Sequence, residues 1–340
     1  MSLAALAVAK AMMGTKAFVL PFAKAYDRVL GRRGCLFTFH RAAPSALWER
    51  LPNRDFHIDL DFLDRFLTHL RRDGWDVVTM SEALRRAADA TDRSRYVNFS
   101  IDDCYRDTYE WVLPLFRRHA VPVTLFVSTG IPDGTLPLWT AGLEDVLLHH
   151  DGVRVDDGVV ELTTSEQRRA AFALIAASWD GPEAGRHYAA FCAANDIDMT
   201  TMHWKHAISW DMLQELATDP LAEIGAHTVT HARVSDLSPQ AAFDELVQSR
   251  RRLNERLGID VQHFAFPYGR AADCGARDFA LARQAGFSSA ATTRKGLVRH
   301  GQDPFSLPRN TINGAHRDLA VMEMHLTGLS GTAARIIGRV

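Results

Sequence analysis

The sequence predicts an α/β fold: a (β/α) barrel of about seven parallel strands with a helical insert. Short β-rich runs alternate with amphipathic helical patterns, which is typical of parallel β–α units. Seven such runs in 340 residues favour one barrel over two domains. The alternation stops between about residues 131 and 220, where no strand can be assigned, and this stretch is predicted to be the insert.

The predicted strands are short apolar runs, and most of them end at polar or turn-forming residues. They lie at 35–40, 75–80, 96–101, 121–128, 221–226, 263–267 and 287–293. Residues 61–74 carry apolar side chains at helical spacing, and residues 238–258 begin with Ser-Pro and end on Gly258, as helices commonly do. The chain is predicted to divide into an N-terminal helical segment (1–33), the barrel (34–330) and a C-terminal tail (331–340).

Composition and charge exclude several classes of protein. The 39 basic and 41 acidic residues leave a net charge of -2, so no overall positive field favours nucleic acid as a partner. With 47% hydrophobic and 24% charged residues, the chain is typical of a globular protein. The four cysteines form no Cys-x-x-Cys pair, which argues against a zinc ribbon or a dithiol redox motif and fits a reducing compartment.

The first 33 residues mix apolar side chains with Lys and Arg. Lys10 interrupts the apolar stretch and no basic region precedes it, so a cleavable secretory signal is not expected. Such a segment could lie on an anionic membrane surface or pack on the body of the protein. Pro21 predicts two short helices rather than one. The protein is expected in the cytoplasm, where this segment could bind the inner face of the membrane.

Polar residues at the ends of the predicted strands are the candidates for chemistry, because barrel enzymes place their active sites at the C-terminal ends of strands. Asp102 and Asp103 follow one strand; His227 follows another, and His231 lies four residues later. Taken separately, the Asp pair could cap the next helix, and the two His could be ordinary residues. Together, two imidazoles, one carboxylate and an open position predict a site for one divalent ion, zinc being the usual choice.

Two further predictions concern catalysis and substrate binding. Adjacent residues on an extended chain point to opposite sides, so one Asp can bind a metal while the other acts as a general base. A Pro-Tyr-Gly turn follows the sixth strand, and the backbone N–H of Tyr268 could stabilise an oxyanion. Trp139, Trp204 and Trp210 could stack on sugar rings or fill the core, and Trp139 and Trp210 are the two retained as substrate-binding candidates.

Several segments together resemble the polysaccharide deacetylase (NodB homology) family of carbohydrate esterases, family 4. They are "IDDCYRDTYEWVLPLFRRHAVPVTLFVSTG", "EIGAHTVTHARVSDLS" and "FAFPYGR", while "FTFHRAAP" resembles the Tyr-His-Arg motif of one branch. The resemblance spans about residues 34–330. It implies a deformed barrel that removes acyl groups, usually acetyl, from amino sugars with one divalent metal ion.

By position, the resemblance implies that Asp102 is the general base and that Tyr268 contributes its backbone N–H to the oxyanion site. It also implies that Asp103, His227 and His231 bind the metal.

The chain departs from the family pattern at several positions. Cys104 follows the two aspartates where the family usually has Gly. Ala265 occupies the usual position of the Arg that orients the base, and Arg309 is the candidate replacement. No clear Leu-x-His motif supplies the general acid, so His40 and His316 are its candidates.

The predicted function is a metal-dependent hydrolase that removes N-acetyl groups from amino sugars of an oligosaccharide, polysaccharide or glycan precursor, in the manner of a chitooligosaccharide deacetylase. The expected partner is a carbohydrate that contains N-acetylhexosamine. Two alternatives stay open: an amide or formyl hydrolase acting on a lipid-linked sugar, and a non-catalytic glycan-binding barrel.

Overall fold

The computed structural model describes residues 34–156, 158–179, 181 and 183–331. The predicted segment 1–33 and nearly all of the predicted tail lie outside these residues. None of the described helices is long and apolar enough to span a bilayer.

A parallel sheet of eight strands forms the centre of the molecule. The strands of the described chain are β1 (Gly34–Phe39), β2 (Arg41–Ala43), β3 (His57–Asp59), β4 (Asp76–Val77), β5 (Tyr96–Asp103), β6 (Val123–Val127), β7 (Gly152–Val155), β8 (Gly158–Glu161), β9 (Ala222–Ala226), β10 (His263–Ala265), β11 (Ser289–Ala291) and β12 (Asn310–Thr311). The main sheet has the order β11-β10-β9-β6-β5-β1-β12, and β4 pairs with the first half of β5. The pairs β2-β3 and β7-β8 form separate two-stranded sheets.

The main sheet curls into a deformed barrel, which confirms the predicted fold class. Leu307 forms a parallel bridge with Ala291 at one edge of the sheet, and three residues later the chain enters β12 beside β1 at the other edge. All seven predicted runs contain a strand of this sheet, although the run at 75–80 supplies only two paired residues. The eighth strand, β12, is too short to show an alternating pattern in the sequence.

Helices surround the sheet and connect its strands. They are α1 (Ser45–Trp48), α2 (Leu60–Arg72), α3 (Met80–Ala88), α4 (Leu113–His119), α5 (Trp139–His149), α6 (Ser165–Ser178), α7 (Ala184–Ala194), α8 (Met199–His206), α9 (Trp210–Ala217), α10 (Pro239–Leu257), α11 (Ala276–Gln284) and α12 (Leu319–Leu326), with a π-helix at Thr108–Val112 before α4. The helix predicted at 238–258 is confirmed as α10, which ends where Gly258 adopts a φ of 68°.

The insert has its own hydrophobic core, built around Leu147, Phe172 and Tyr188. Residues 131–220 contain α5 to α9 and also the antiparallel hairpin β7-β8, so the predicted helical insert holds two strands that were not assigned from the sequence. The signal was present in the sequence, because Asp-Asp-Gly between two Val-containing runs is a common hairpin turn.

Side chains alternate between the two faces of the barrel strands. On β1, Phe37 packs outward against the aromatic rings of Phe66 and Phe99, whereas Leu36 belongs to a smaller cluster with Phe126. Thr38 follows Leu36 on the inner face, which places a polar side chain inside the barrel. The inner face near the ends of the strands is therefore partly polar, and the candidate site lies there.

Candidate active site and metal centre

The candidate metal ligands are brought together by the register of three neighbouring strands. Val127 at the end of β6 pairs with Asp103 on one side and with Ala226 on the other. His227 follows Ala226 directly, and its backbone N–H donates to the carbonyl of Val127 at 3.0 Å. Asp103 and His227 therefore lie at the same end of the barrel, with only β6 between their strands.

The Asp103 carboxylate lies between the two imidazoles. Its Oδ1 is 3.6 Å from Nε2 of His227 and 3.2 Å from Nε2 of His231. The ligand atoms of the three residues all lie within 4.8 Å of one another. Oδ1 is buried and accepts no hydrogen bond from any described residue. A buried carboxylate oxygen without a donor is costly, and a cation among the three ligand atoms would remove this cost.

The orientation of His227 fits a ligand. Its Nδ1–H donates to the carbonyl of Ala265 at 2.7 Å, which leaves the Nε2 lone pair facing Asp103. Burial lowers the pKa of His227 to about 4, and the neighbouring His231 acts in the same direction against the two aspartates. His227 is therefore neutral at neutral pH, which is the form that binds metals. The three residues fit a divalent ion with nitrogen and oxygen ligands.

Asp102 has a different environment from Asp103. Its two oxygens accept hydrogen bonds from Nη1 and Nη2 of Arg309 at 2.6 and 2.8 Å, and both side chains are buried. Burial opposes ionisation of Asp102, but the charge and hydrogen bonds of the Arg309 guanidinium outweigh it and hold the pKa well below its usual range. Asp102 is thus a carboxylate in a fixed orientation beside the three ligands.

Arg309 reaches Asp102 through the interior of the barrel. Its guanidinium also donates to the carbonyl of Thr292 and to the hydroxyls of Thr38 and Ser100. The residue lies just before β12, far in sequence from the usual position of the orienting Arg. Ala265, at that usual position, is fully buried in β10. The structure therefore supplies the guanidinium from a different strand.

Cys104 adopts a conformation that favours glycine. Asp103 and Cys104 have φ values of 66° and 67°, so the chain turns sharply as β5 ends. The Cys104 thiol is buried, and its S–H donates weakly to the carbonyls of Ile101 and Phe126 at 3.8 and 3.7 Å. Burial raises the pKa of this thiol well above its usual value. The Cys104 side chain belongs to the main hydrophobic core, with its thiol directed at these two carbonyls.

Two further candidates border the site. The ring of His40 packs on Phe56, with the ring centroids 4.8 Å apart, and His40 lies close enough to Asp102 to interact with it electrostatically, as expected from the pairing of β1 with β5. Tyr268 has a φ of 61° in its turn, and its ring lies 5.1 Å from the ring of His231. Tyr268 is 45% exposed, so this ring forms part of the rim of the site.

Three candidates lie in other environments. His316 is hydrogen-bonded to Asn313, and its ring lies 5.4 Å from the ring of His325 on α12, so the structure does not join it to Asp102. The stacking role of Trp210 is wrong, because the ring is 8% exposed and its Nε1–H donates to Asp133. Trp139 packs against Trp179 in the core of the insert. For both indoles the core alternative fits the packing.

A buried ionic network beside the site was missed by the sequence analysis. Arg41 donates to Asp107 and to Glu144 of the insert, both at 2.7 Å, and Glu144 also contacts Nε2 of His57 at 2.8 Å. These residues lie on four separate elements, and no motif or spacing in the sequence connects them. The network holds the insert against β2, β3 and the start of the helical segment that follows the Asp pair.

A parallel barrel with an acid–imidazole triad and an ion-paired carboxylate at its C-terminal end has the arrangement of a hydrolase. The family model for polysaccharide deacetylases matches residues 89–289, more than half of the chain. The chain therefore belongs to the polysaccharide deacetylase family, and it is a hydrolase of carbon–nitrogen bonds, an N-deacetylase.

Solved structures share the fold. The chain is similar to the Streptococcus pyogenes deacetylase PplD in complex with acetate, with 16% identity, a TM-score of 0.58, and 86% of this chain and 97% of that chain covered. It is also similar to IcaB from Ammonifex degensii, with 19% identity, a TM-score of 0.56, and 86% and 97% covered. A de-N-acetylase from Aggregatibacter actinomycetemcomitans gives 13% identity, a TM-score of 0.56, and 85% and 98% covered. No curated protein matches the chain by sequence.

Proposed function

We propose that the protein removes N-acetyl groups from amino sugars of an oligosaccharide or glycan precursor, with one divalent ion held by Asp103, His227 and His231. The observation that carries the proposal is the buried, unpaired Oδ1 of Asp103 between two Nε2 atoms, next to an Asp102 carboxylate that Arg309 orients. When bound, such an ion lowers the pKa of water and polarises a carbonyl, and zinc is the usual choice.

The residues of the chain perform the proton transfers. Asp102 stays ionised at neutral pH and accepts the proton of the attacking water, while Arg309 keeps its oxygens in place. His40 lies beside Asp102 and donates a proton to the departing amine. The backbone turn at Tyr268 supplies the N–H that stabilises the oxyanion. The products are acetate and a free amino sugar.

An acetate-release assay tests this proposal. Purified protein is incubated with chitooligosaccharides, peptidoglycan fragments and lipid-linked amino sugars, and acetate, formate and free amine are measured. Acetate with an equal amount of amine supports the proposal. Formate, or a different acid, identifies another amide hydrolase instead. Binding of all three substrates without release of any acid identifies a non-catalytic glycan-binding barrel.

The N-terminal segment 1–33 supports a proposal of peripheral membrane contact in the cytoplasm, since it combines apolar and basic side chains. This would place the site beside lipid-linked substrates. Co-sedimentation of the full chain with anionic vesicles at low and high salt tests it. Salt-sensitive binding supports the membrane role, and no binding at low salt rejects it.

A further inference from the structure

An aromatic side chain of the insert is exposed close to the candidate active site. Among the described residues, the exposed large hydrophobic side chains are Val159, Leu174, Trp204 and Tyr268, and Tyr268 borders the metal ligands. Trp204 is the second exposed aromatic residue, with 39% of its surface accessible. An accessible indole offers an apolar surface on which a sugar ring can stack.

Contacts on two sides place Trp204 beside the active site. The backbone of Ala207 forms an antiparallel bridge with Tyr105, two residues after Asp103, and Arg106 donates to the carbonyl of Trp204 at 3.2 Å. On the other side, the backbone N–H of Gly130 donates to the carbonyl of Val229, which lies between the two His ligands. Four residues further along this loop, Gly134 lies against the indole of Trp204.

Trp204 forms one wall of a small open pocket of about 170 Å³. The pocket is lined by apolar and hydrogen-bonding side chains, including Pro137, Leu138, Met199, Thr200, His203 and Trp204. Gly134 has a φ of 72°, and a side chain there would lie 3.2 Å from the indole. The backbone at Gly134 thus approaches the ring closely.

The polar groups of the pocket are suited to hydroxyl groups. Nε2–H of His203 donates to the carbonyl of Ile131 at 2.9 Å, and the ring lies edge-on to Trp204 at 4.8 Å. Burial lowers the pKa of His203 despite this hydrogen bond. With Nε2–H donating, Nδ1 of the neutral imidazole is a hydrogen-bond acceptor, and His203 is one of the residues that line the pocket. An indole face for C–H groups and an acceptor for O–H groups match a pyranose ring.

We infer that this pocket is a saccharide subsite, in which Trp204 and His203 bind a sugar unit next to the one that is deacetylated. The inference rests on the proposed function and deepens it, because it selects a chain of sugars over a single amino sugar as substrate. A lipid carrier is the alternative occupant that the apolar part of the lining could accept.

Kinetics with N-acetylglucosamine oligomers of one to five units test the inference. For the wild type, kcat/KM should rise with chain length. Trp204→Ala should reduce that rise about threefold to tenfold, chiefly through KM, as expected for the loss of one ring-stacking contact. Trp204→Phe should restore most of it. Leu174→Ala, at an exposed residue of α6, is the matched control and should behave as the wild type does.

Other outcomes overturn the inference. An equal loss at all chain lengths in Trp204→Ala, or no change at any length, removes the subsite. A loss confined to lipid-linked amino sugars assigns the pocket to the lipid. If the wild type releases no acetate from any oligomer, the proposed function fails, and calorimetric titration with the pentasaccharide decides the subsite. Weaker binding by Trp204→Ala then supports the pocket, and equal or absent binding by both proteins rejects it.

Discussion

An acid and a histidine lie close together at each end of β9, but the acid is fully hydrogen-bonded at one end only. Near its start, Glu223 lies 3.4 Å from Nε2 of His263, and its carboxylate accepts hydrogen bonds from the backbone of Met80, from Ser81 and from Thr124. Just beyond its end, His227 faces Asp103, whose Oδ1 accepts no hydrogen bond from the described residues.

The difference is in which atoms remain unpaired. At the start of β9 every carboxylate oxygen of Glu223 has a donor, and Nδ1 of His263 is paired with Ser289 at 2.9 Å. That cluster stabilises the first turn of α3. At the end of β9 the ligand atoms of Asp103, His227 and His231 lie close together, and Oδ1 of Asp103 has no hydrogen-bond donor among the described residues. An acid beside a histidine therefore indicates a site only where such an atom is left for a ligand.

The largest effect is expected from removing a ligand at the end of β9. His227→Ala and His231→Ala should abolish binding of the divalent ion, because two of the three ligand atoms cannot hold it. Deacetylation should fall to background. Elemental analysis after dialysis checks the metal content, with His150→Ala at an exposed residue as control. Full occupancy in the double variant would contradict the assignment.

Asp102→Asn should keep the metal and lose about 100-fold or more in kcat, the range expected for a missing general base. The amide retains the shape of the carboxylate but cannot accept the proton. Glu255→Gln, on the exposed face of α10, is the matched control. A variant that loses its metal, while Asp103→Asn stays loaded, would reverse the roles of the two aspartates.

Arg309→Met should raise the pKa of Asp102, since the guanidinium opposes the effect of burial. Asp102 is active when ionised, so the acid limb of the pH–rate profile should move to higher pH. The rate at neutral pH should fall about tenfold to 100-fold through lost orientation and charge. Arg309→Lys should return the acid limb part of the way to its wild-type position. A purely structural role would lower the melting temperature without moving the acid limb.

At the start of β9, Glu223→Gln should lower the free energy of unfolding by about 1–3 kcal/mol, the range for an unsatisfied buried hydrogen-bonding group. The kcat of the folded enzyme should not change, because this cluster lies at the opposite end of the barrel from Asp103. Urea unfolding and acetate release on the same samples compare the two quantities. A drop in kcat without a drop in stability would show that the two ends are coupled.

The smallest effect is the pH dependence of that stability. Burial opposes ionisation of Glu223, but His263 and Ser81 outweigh it and lower the pKa to about 2. A carboxyl with a depressed folded-state pKa stabilises the fold above its usual pKa of about 4.5 and loses this effect as pH falls towards 2. The stability difference between the wild type and Glu223→Gln should therefore shrink between these values. A constant difference would contradict the assigned pKa.

The sequence predicted the barrel and the strand ends because both depend on local patterns. Alternating strands and helices indicate the sheet, and Asp102, Asp103 and His227 each directly follow an apolar run. Positions that depend on long-range packing were harder to predict from the sequence. The donor to Asp102 is brought by a two-residue strand 207 residues away, and it was named only from the family pattern. Trp204 was one of three indoles considered for stacking, but the sequence could not single it out, because the exposure of one indole among seven is decided by the packing of the insert.

Acetate release from an N-acetylated oligosaccharide, before and after metal removal, tests the central claim most directly. The protein as purified should release acetate and free amine in equal amounts. Dialysis against a chelator should stop the reaction, and one equivalent of zinc or another divalent ion should restore it. Acetate release that persists in full after verified removal of the metal, or acetate without a matching amine, would contradict the proposed site at the end of β9.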